Sequence, residues 1–179
     1  MVSLASIGRS SVSTLCSVLT NGDTSLKAGV IGYLGSMGPD AQSAIPDLIR
    51  LTCDPALFVR CEAISALGRI KMDGAQVIPI LIRSLHDEND RARAQAAEAL
   101  GAWGAEAKAS MPELRRIISE EPGDNLDSSN LHERARVALS LIDPMVAERL
   151  GPKIEIAMPP LRDQLMPHRP PEDKNKLEP

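Results

Sequence analysis

The sequence predicts an all-α fold, a right-handed solenoid of about four helical hairpins that repeat at a constant interval. The dipeptides Ile45-Pro46, Ile78-Pro79 and Met111-Pro112 are evenly spaced along the chain. The two periods between them, 45–77 and 78–110, share eleven identical residues in their 33 aligned positions. Only 2% of the residues are aromatic in a chain that is 43% hydrophobic. A core of Ala, Leu, Ile and Val favours closely packed helices over stacked sheets.

Each unit is predicted to contain two helices joined by a short turn. Proline suits the start of the first helix, because the N–H that it lacks has no partner there. The turn carries Asp54 in one copy and Asp87 in the next, each in a position to cap the second helix. Three glycines near the ends of the second helices are expected to close them: Gly38, Gly74 and Gly104. One such hairpin cannot bury its apolar stripe alone, so the copies must stack.

The repeat domain is predicted to span residues 1–151, followed by a proline-rich tail at 152–179. The units within the domain are a partial repeat at 1–11 and four repeats at 12–44, 45–77, 78–110 and 111–143. The fourth repeat contains an insert, EEPGDNLDSS, before its second helix. The segment MPPLRDQL is similar to a first helix, so a short capping helix is expected at 158–165, with extended or disordered chain beyond it.

The opening segment SLASIG, at 3–8, matches YLGSMG, at 33–38. The chain is therefore expected to open inside a second helix. Two interpretations follow: the chain is a fragment of a larger array, or its first residues are a degenerate capping repeat.

Two phrases carry a family resemblance: IPDLIRLTCDPALFVRCEAISALGRI and IPILIRSLHDENDRARAQAAEALGAWG. They resemble HEAT repeats, armadillo-like α-solenoid units, in the short bacterial form also found in phycobilisome lyases. The resemblance covers about residues 3–143 and is specific for the repeat type, but not for an activity. Ankyrin and tetratricopeptide repeats fit worse, because their characteristic residues are absent.

The resemblance implies that the second helices line a concave surface that binds a partner protein. Phe58 is expected there either as an exposed anchor for the partner or packed against a neighbouring turn. The surface is small and smooth in the first repeat, charged in the middle and more apolar in the fourth. The candidate partner-binding residues are Phe58, Glu62, Ser65, Arg69, Arg91, Gln95, Glu98 and Arg134.

A second set of residues is predicted to be structural, because it recurs at the same positions of successive units. It resembles a ladder of ion pairs that links adjacent HEAT repeats. Its members are Asp54, Arg60, Asp87 and Arg93. Cys16 and Cys61 align with core positions and Cys53 lies at a turn, so the cysteines are expected to be structural. The three histidines share no metal-ligand spacing, so neither a metal site nor a cofactor is predicted.

The expected function is a scaffold or adaptor for protein–protein interaction, without enzymatic activity and with a partner of unknown identity. A net charge of −4 argues against a general nucleic-acid binder. No run of about 18 apolar residues predicts a membrane span, and the first residues make a poor signal peptide, so a cytoplasmic chain is expected. The alternatives are a subunit resembling the bilin lyases, a nucleic-acid-binding protein of the same repeat type, and a fragment of a larger multidomain protein.

Overall fold

The computed structural model describes residues 4–120 and 126–146, and within these residues the chain is helical and contains no strand. It confirms the predicted all-α solenoid. The helices are α1 (Leu4–Asn21), α2 (Thr24–Ser36), α3 (Ile45–Leu51), α4 (Leu57–Ile70), α5 (Gly74–Ser84), α6 (Asp90–Trp103), α7 (Met111–Ser119) and α8 (Leu126–Ile142), with 3-10 segments at Gly38–Ala44 and Gly104–Ser110. The capping helix expected at 158–165, and the tail around it, lie outside the described residues. None of the helices in the described ranges combines the length and apolar character needed to cross a bilayer.

The hairpins pair α1 with α2, α3 with α4, α5 with α6, and α7 with α8. The second helices of adjacent hairpins pack directly on one another along the whole stack. The first helices make far fewer contacts with each other. Closer packing along the row of second helices favours curvature toward that row, as the predicted concave side requires.

Residues with a positive φ follow the second helices of the first three repeats at equivalent positions. Gly38, Lys71 and Gly104 have φ angles of +58°, +52° and +60°. Glycine adopts this conformation without the steric penalty that a side chain incurs. The prediction that Gly74 closes a helix was wrong, because Lys71 ends α4 and Gly74 begins α5.

The positions of the prolines reflect the early start of α5 in the third repeat. Pro46 and Pro112 lie in the first turns of α3 and α7, as expected. Pro79 lies inside α5, because that helix begins several residues earlier than its counterparts. Residues that form a 3-10 segment at the other junctions have joined the α-helix here.

The N-terminal helix differs from the predicted repeat boundaries. One continuous helix, α1, runs from Leu4 to Asn21 and crosses the boundary expected between residues 11 and 12. Gly8 aligns with Gly38 in the sequence but remains within the helix, whereas Gly38 turns left-handed. Without that turn the segment 4–11 extends the first helix instead of forming the end of a second one.

The core runs along the stack between the helical layers. Its largest fully buried side chains are Ile31, Leu34, Ile45, Leu48, Ile64, Leu67, Ile70, Leu81, Leu85, Leu100, Leu114 and Ile117. Cys61 is buried, Cys16 is half-buried and Cys53 is exposed. Burial, and then the neighbouring carboxylate of Asp47, raise the pKa of Cys16 to about 11. This thiol therefore stays protonated at neutral pH.

Small residues set the distance between consecutive second helices. A Cβ placed on Gly68 of α4 would lie 2.8 Å from the Cβ and 3.0 Å from the Cα of Ala99 on α6. A Cβ on Gly101 would lie 3.0 Å from the Cα of Ala138 on α8. The backbones of α4, α6 and α8 thus approach each other where a glycine faces an alanine.

Candidate partner-binding surface

The exposed positions of α4, α6 and α8 form the surface that we call the concave face. It contains all eight residues that the sequence predicts for partner binding. Four of them are exposed: Phe58, Arg69, Arg91 and Glu98. The other four are partly buried: Glu62, Ser65, Gln95 and Arg134.

Phe58 is the exposed aromatic side chain of the concave face. It lies in the first turn of α4, and 50% of its surface is accessible. Its position corresponds to Ser25 in the preceding repeat and Arg91 in the following one, and both of these are also exposed. The structure therefore places Phe58 in solvent rather than in the core, so its ring is available to a partner.

Arg69 covers a glycine of the preceding repeat. A Cβ built on Gly35 of α2 would lie 2.8 Å from Nη2 of Arg69 and 3.0 Å from its Cζ. The guanidinium thus lies against the backbone of α2, in space that a side chain at position 35 would fill. Arg69 keeps an exposed edge while its contact with α2 limits its rotamers.

Glu98 and Arg134 neutralise each other across the boundary between α6 and α8. Gln95 Nε2 also donates to Glu98 Oε2 at 3.2 Å, and Arg134 Nε donates to Asn130 Oδ1 at 2.9 Å. A network of this kind orders long side chains in advance of binding. The fourth-repeat end of the concave face is therefore occupied by its own ion pair.

Among the charged residues predicted to bind a partner, three make no ion pair with any described residue: Glu62, Arg69 and Arg91. Arg91 lies near Cys61 on the neighbouring helix α4. Together with Phe58, these side chains give the central repeats an aromatic ring, two available guanidinium groups and one carboxylate.

Ion pairs link adjacent repeats on the turn side of the stack. Arg60 Nε and Nη2 donate to the two carboxylate oxygens of Asp87 at 2.9 and 3.0 Å. Arg60 Nη1 donates to the carbonyl oxygens of Asp54 and Pro55 at 3.1 and 3.3 Å. In the preceding repeat Lys27 Nζ lies 3.5 Å from Asp54 Oδ2. Each cation thus reaches the turn of the repeat that follows its own.

Arg93 occupies in the third repeat the position that Arg60 occupies in the second, but it has a different partner. Its guanidinium pairs with Asp90 on its own helix, and its Nε is buried without a hydrogen-bond partner. Asp90 also accepts a hydrogen bond from Ser128 at the start of α8. In the fourth repeat the group next to α6 is therefore the hydroxyl of Ser128, a residue of the insert. The ladder pattern would instead have placed an aspartate of the turn there. The ladder predicted through Arg93 ends at this point.

His132 ties the end of α7 to the first turns of α8. Its Nδ1 lies 2.9 Å from the carbonyl oxygen of Ser128, and its Nε2 lies 2.9 Å from that of Glu120. Carbonyl oxygens only accept hydrogen bonds, and a neutral imidazole has a single N–H. In either neutral tautomer the ring therefore donates one of these two hydrogen bonds.

Asp90 is expected to make the stability of the chain sensitive to acid. The hydrogen bond from Ser128, and then the one from Arg93, lower the pKa of Asp90 below its ordinary value near 3.8, against the opposing effect of burial. A carboxyl whose pKa is lowered by folding stabilises the native state above its unfolded-state pKa. That stabilisation is lost as the pH falls through the lower, folded-state pKa.

Replacing Asp90 with asparagine should therefore lower the free energy of unfolding by about 1.5–3 kcal/mol at neutral pH, the range for hydrogen bonds to charged groups. Urea unfolding of the chain and of Asp90→Asn at several pH values measures this difference. The difference should shrink as the pH falls below the ordinary pKa of the carboxyl. A difference that stays constant down to the acid limit would contradict the assignment.

Sequence reasoning missed two contacts in which an arginine of a first helix reaches the turn of the preceding repeat. Arg83 Nη2 lies 3.5 Å from Cys53 Sγ, and Arg116 Nη2 lies 3.5 Å from His86 Nδ1. Both pairs join adjacent repeats. The only sequence signal is the recurrence of arginine at this place, and the partners share no chemistry that a pattern could reveal. The contacts of Ser128 and His132 were missed too, because both residues lie in or just after the insert, where the repeat pattern of the sequence is interrupted.

Comparison with known proteins bears on the repeat type. A family model described as HEAT repeats matches residues 12–101 and, in an overlapping second position, residues 59–129. The two matches together span 12–129, about two thirds of the 179-residue chain. No curated protein gives a significant match. Within 4–120 and 126–146, no three His, Cys, Asp or Glu side chains come together as a metal site requires.

Proposed function

We propose, since this chain belongs to the HEAT repeat family, that it is a scaffold or adaptor that binds a partner protein on its concave face. The observation that carries the proposal is the set of side chains in the central repeats that have no ion partner among the described residues. Phe58 is half-exposed, and Arg69, Arg91 and Glu62 make no ion pair with the described residues. Such groups cluster on helices that also pack the core, so the surface is formed before a partner arrives.

The chemistry of these side chains indicates how a partner would be held. An exposed ring offers apolar area at little entropic expense, and aromatic and arginine side chains dominate the energetics of many interfaces. Arg69 and Arg91 would each pair with a carboxylate of the partner, with the bidentate geometry that guanidinium favours. Glu62 lies between Phe58 and Arg69 along α4 and would pair with a basic group. We therefore propose binding without a catalytic step.

Affinity capture with matched variants tests this function. The full chain, the double variant Phe58→Ala/Arg91→Glu and the control Arg115→Glu are immobilised side by side and exposed to lysate. Arg115 is exposed on α7, away from the concave face, and makes no ion pair with the described residues. A partner held by the chain and the control but lost by the double variant, by tenfold or more in affinity, is the expected result.

The variants are chosen to leave the fold intact. Phe58 and Arg91 are both exposed and make no ion pair with the described residues, so far-UV circular dichroism should not change. Substitution of Glu98 is avoided, because it would leave Arg134 without its ion-pair partner. If a partner binds the double variant as tightly as the unaltered chain, the concave face is not its binding site. Loss of binding in the Arg115→Glu control alone would move the interface to the outer helices.

A further inference from the structure

The N-terminal end of the stack exposes apolar residues at positions that the inner repeats bury. Leu26 and Tyr33 on α2 are 52% and 59% exposed. One repeat later the same positions hold Val59 and Ala66, which are fully buried. In the third repeat they hold Ala92 and Ala99, which are buried as well. We call Leu26, Gly29 and Tyr33 the α2 end face.

The inner repeats show what these positions do. Ala99 contacts Gly68 of the preceding second helix, and Ala138, at the same position in the fourth repeat, contacts Gly101. The position of Tyr33 therefore belongs to the surface that a second helix turns toward its predecessor. The α2 end face has the register of a repeat–repeat interface, but no second helix among the described residues covers it.

The opposite end of the stack has a different character. The positions by which α4 faces its successor are held by Cys61, Ile64 and Gly68, all of them buried. On α8 the corresponding residues are Glu133, Arg136 and Ser140, which are exposed or half-exposed. Charged side chains there suit contact with water. A head-to-tail stack of copies would press the apolar α2 end face against this polar end, which is a poor match.

Gly29 gives the α2 end face its shape. A Cβ placed on this exposed helical residue would meet nothing within 4 Å. The packing of the described chain therefore does not require glycine, although glycine in a helix interior is about 1 kcal/mol less favourable than alanine. Between Leu26 and Tyr33 it leaves a notch beside the protruding ring.

The charges of α2 point to a second copy as the occupant. Lys27 is the only charged residue in the helix, and it is directed at Asp54 of the next repeat. Two chains that each carry a net charge of −4 can therefore meet through this face without bringing like charges together. A twofold axis near Gly29 would place Tyr33 of one copy against Leu26 of the other, with the two glycines at the crossing point.

We infer that the α2 end face joins two copies of this chain in a closed, isologous dimer. An isologous contact uses the same patch on both subunits and stops at two. The contact covers the predecessor-facing positions of α2 with a second helix, which runs antiparallel to α2 about the twofold axis. One helix face per subunit lies at the small end of interface sizes, so the association is expected to be reversible at micromolar concentrations.

Sedimentation of the full chain over a range of concentrations tests the inference. The mass should rise from 19.2 kDa toward twice that value and go no further. Tyr33→Glu should remove the association, weakening it tenfold or more, and Leu26→Lys should do the same if the first variant fails to fold. Phe58→Glu alters an equally exposed aromatic side chain on the concave face and should leave the dimer intact.

A cysteine at position 29 tests the twofold geometry. In a Cys53→Ser background, which removes the exposed native thiol, Gly29→Cys should form an intermolecular disulfide on mild oxidation. The inference is overturned if the chain remains monomeric at all concentrations, as it would if a preceding repeat of a longer polypeptide covers this face. It is equally overturned if association survives both Tyr33→Glu and Leu26→Lys, or continues beyond the dimer.

Discussion

Gly68→Ala is expected to destabilise the chain by about 1–2 kcal/mol, although alanine is the better helix former. The added methyl group would lie 2.8 Å from the Cβ of Ala99, and 3.0 Å from its Cα, which cannot move without shifting α6. Overpacking of this kind costs roughly 1–3 kcal/mol, and the helix-propensity gain offsets up to about 1 kcal/mol of it. Urea unfolding followed by far-UV circular dichroism measures the difference.

Gly29→Ala is the matched control for this prediction. It makes the same change within a helix of the same layer, but the new methyl group meets nothing within 4 Å. At concentrations low enough to keep the chain monomeric, it should raise the free energy of unfolding by up to about 1 kcal/mol. If the two substitutions change stability in the same direction, close approach between α4 and α6 does not set the spacing of the repeats.

Arg60→Met is expected to have the larger effect, a loss of about 3–5 kcal/mol. The side chains of Arg60 and Asp87 are only 9% and 11% exposed. Methionine would retain much of the apolar stem, but the Asp87 carboxylate would lose its cationic partner and keep only the Asn89 N–H as a donor. The carbonyl oxygens of Asp54 and Pro55 would lose the Arg60 donor as well. Breaking a buried pair by removing one partner is costly, because the remaining charge stays desolvated. Chemical unfolding of the variant measures the loss.

Arg50→Met provides the comparison, because Arg50 is 67% exposed and pairs with Asp47 on its own helix. An exposed pair of this kind contributes less than about 1 kcal/mol. The double variant Arg60→Met/Asp87→Asn should recover part of the loss, since it removes the uncompensated charge while an amide oxygen can still accept from the Asn89 N–H. Equal effects of Arg60→Met and Arg50→Met would show that the link between repeats contributes little.

The repeat could be predicted from the sequence because its period appears in the covalent order of residues. Evenly spaced prolines and a recurring apolar stripe report the helical hairpins directly, and the structure contains them. The start of α5 could not be predicted in the same way. Whether residues before Pro79 form a 3-10 segment or join the helix depends on how Asp73 and Gly74 pack, and the two states differ by few hydrogen bonds.

The partners of the charged residues were harder to predict than their positions. Arg60 and Arg93 occupy equivalent sites, yet only Arg60 reaches the next turn. The difference coincides with the insert, one residue of which, Ser128, donates a hydrogen bond to Asp90. Glu98 was predicted as a partner-binding residue, but the structure pairs it with Arg134. A long charged side chain can reach several neighbours from other repeats, so its ion-pair partner depends on the three-dimensional arrangement of the helices.

The positive φ angles that recur after α2, α4 and α6 have a consequence for how such a chain lengthens. Because Gly38, Lys71 and Gly104 all have a positive φ and lie 33 residues apart, the chain leaves each of these second helices at the same place in the repeat. A tandem duplication of the segment between two of these residues within the gene would add one hairpin without forcing a new geometry on its neighbours. The fold thus accepts growth by whole units, and each added unit would extend the concave surface by one more column of side chains.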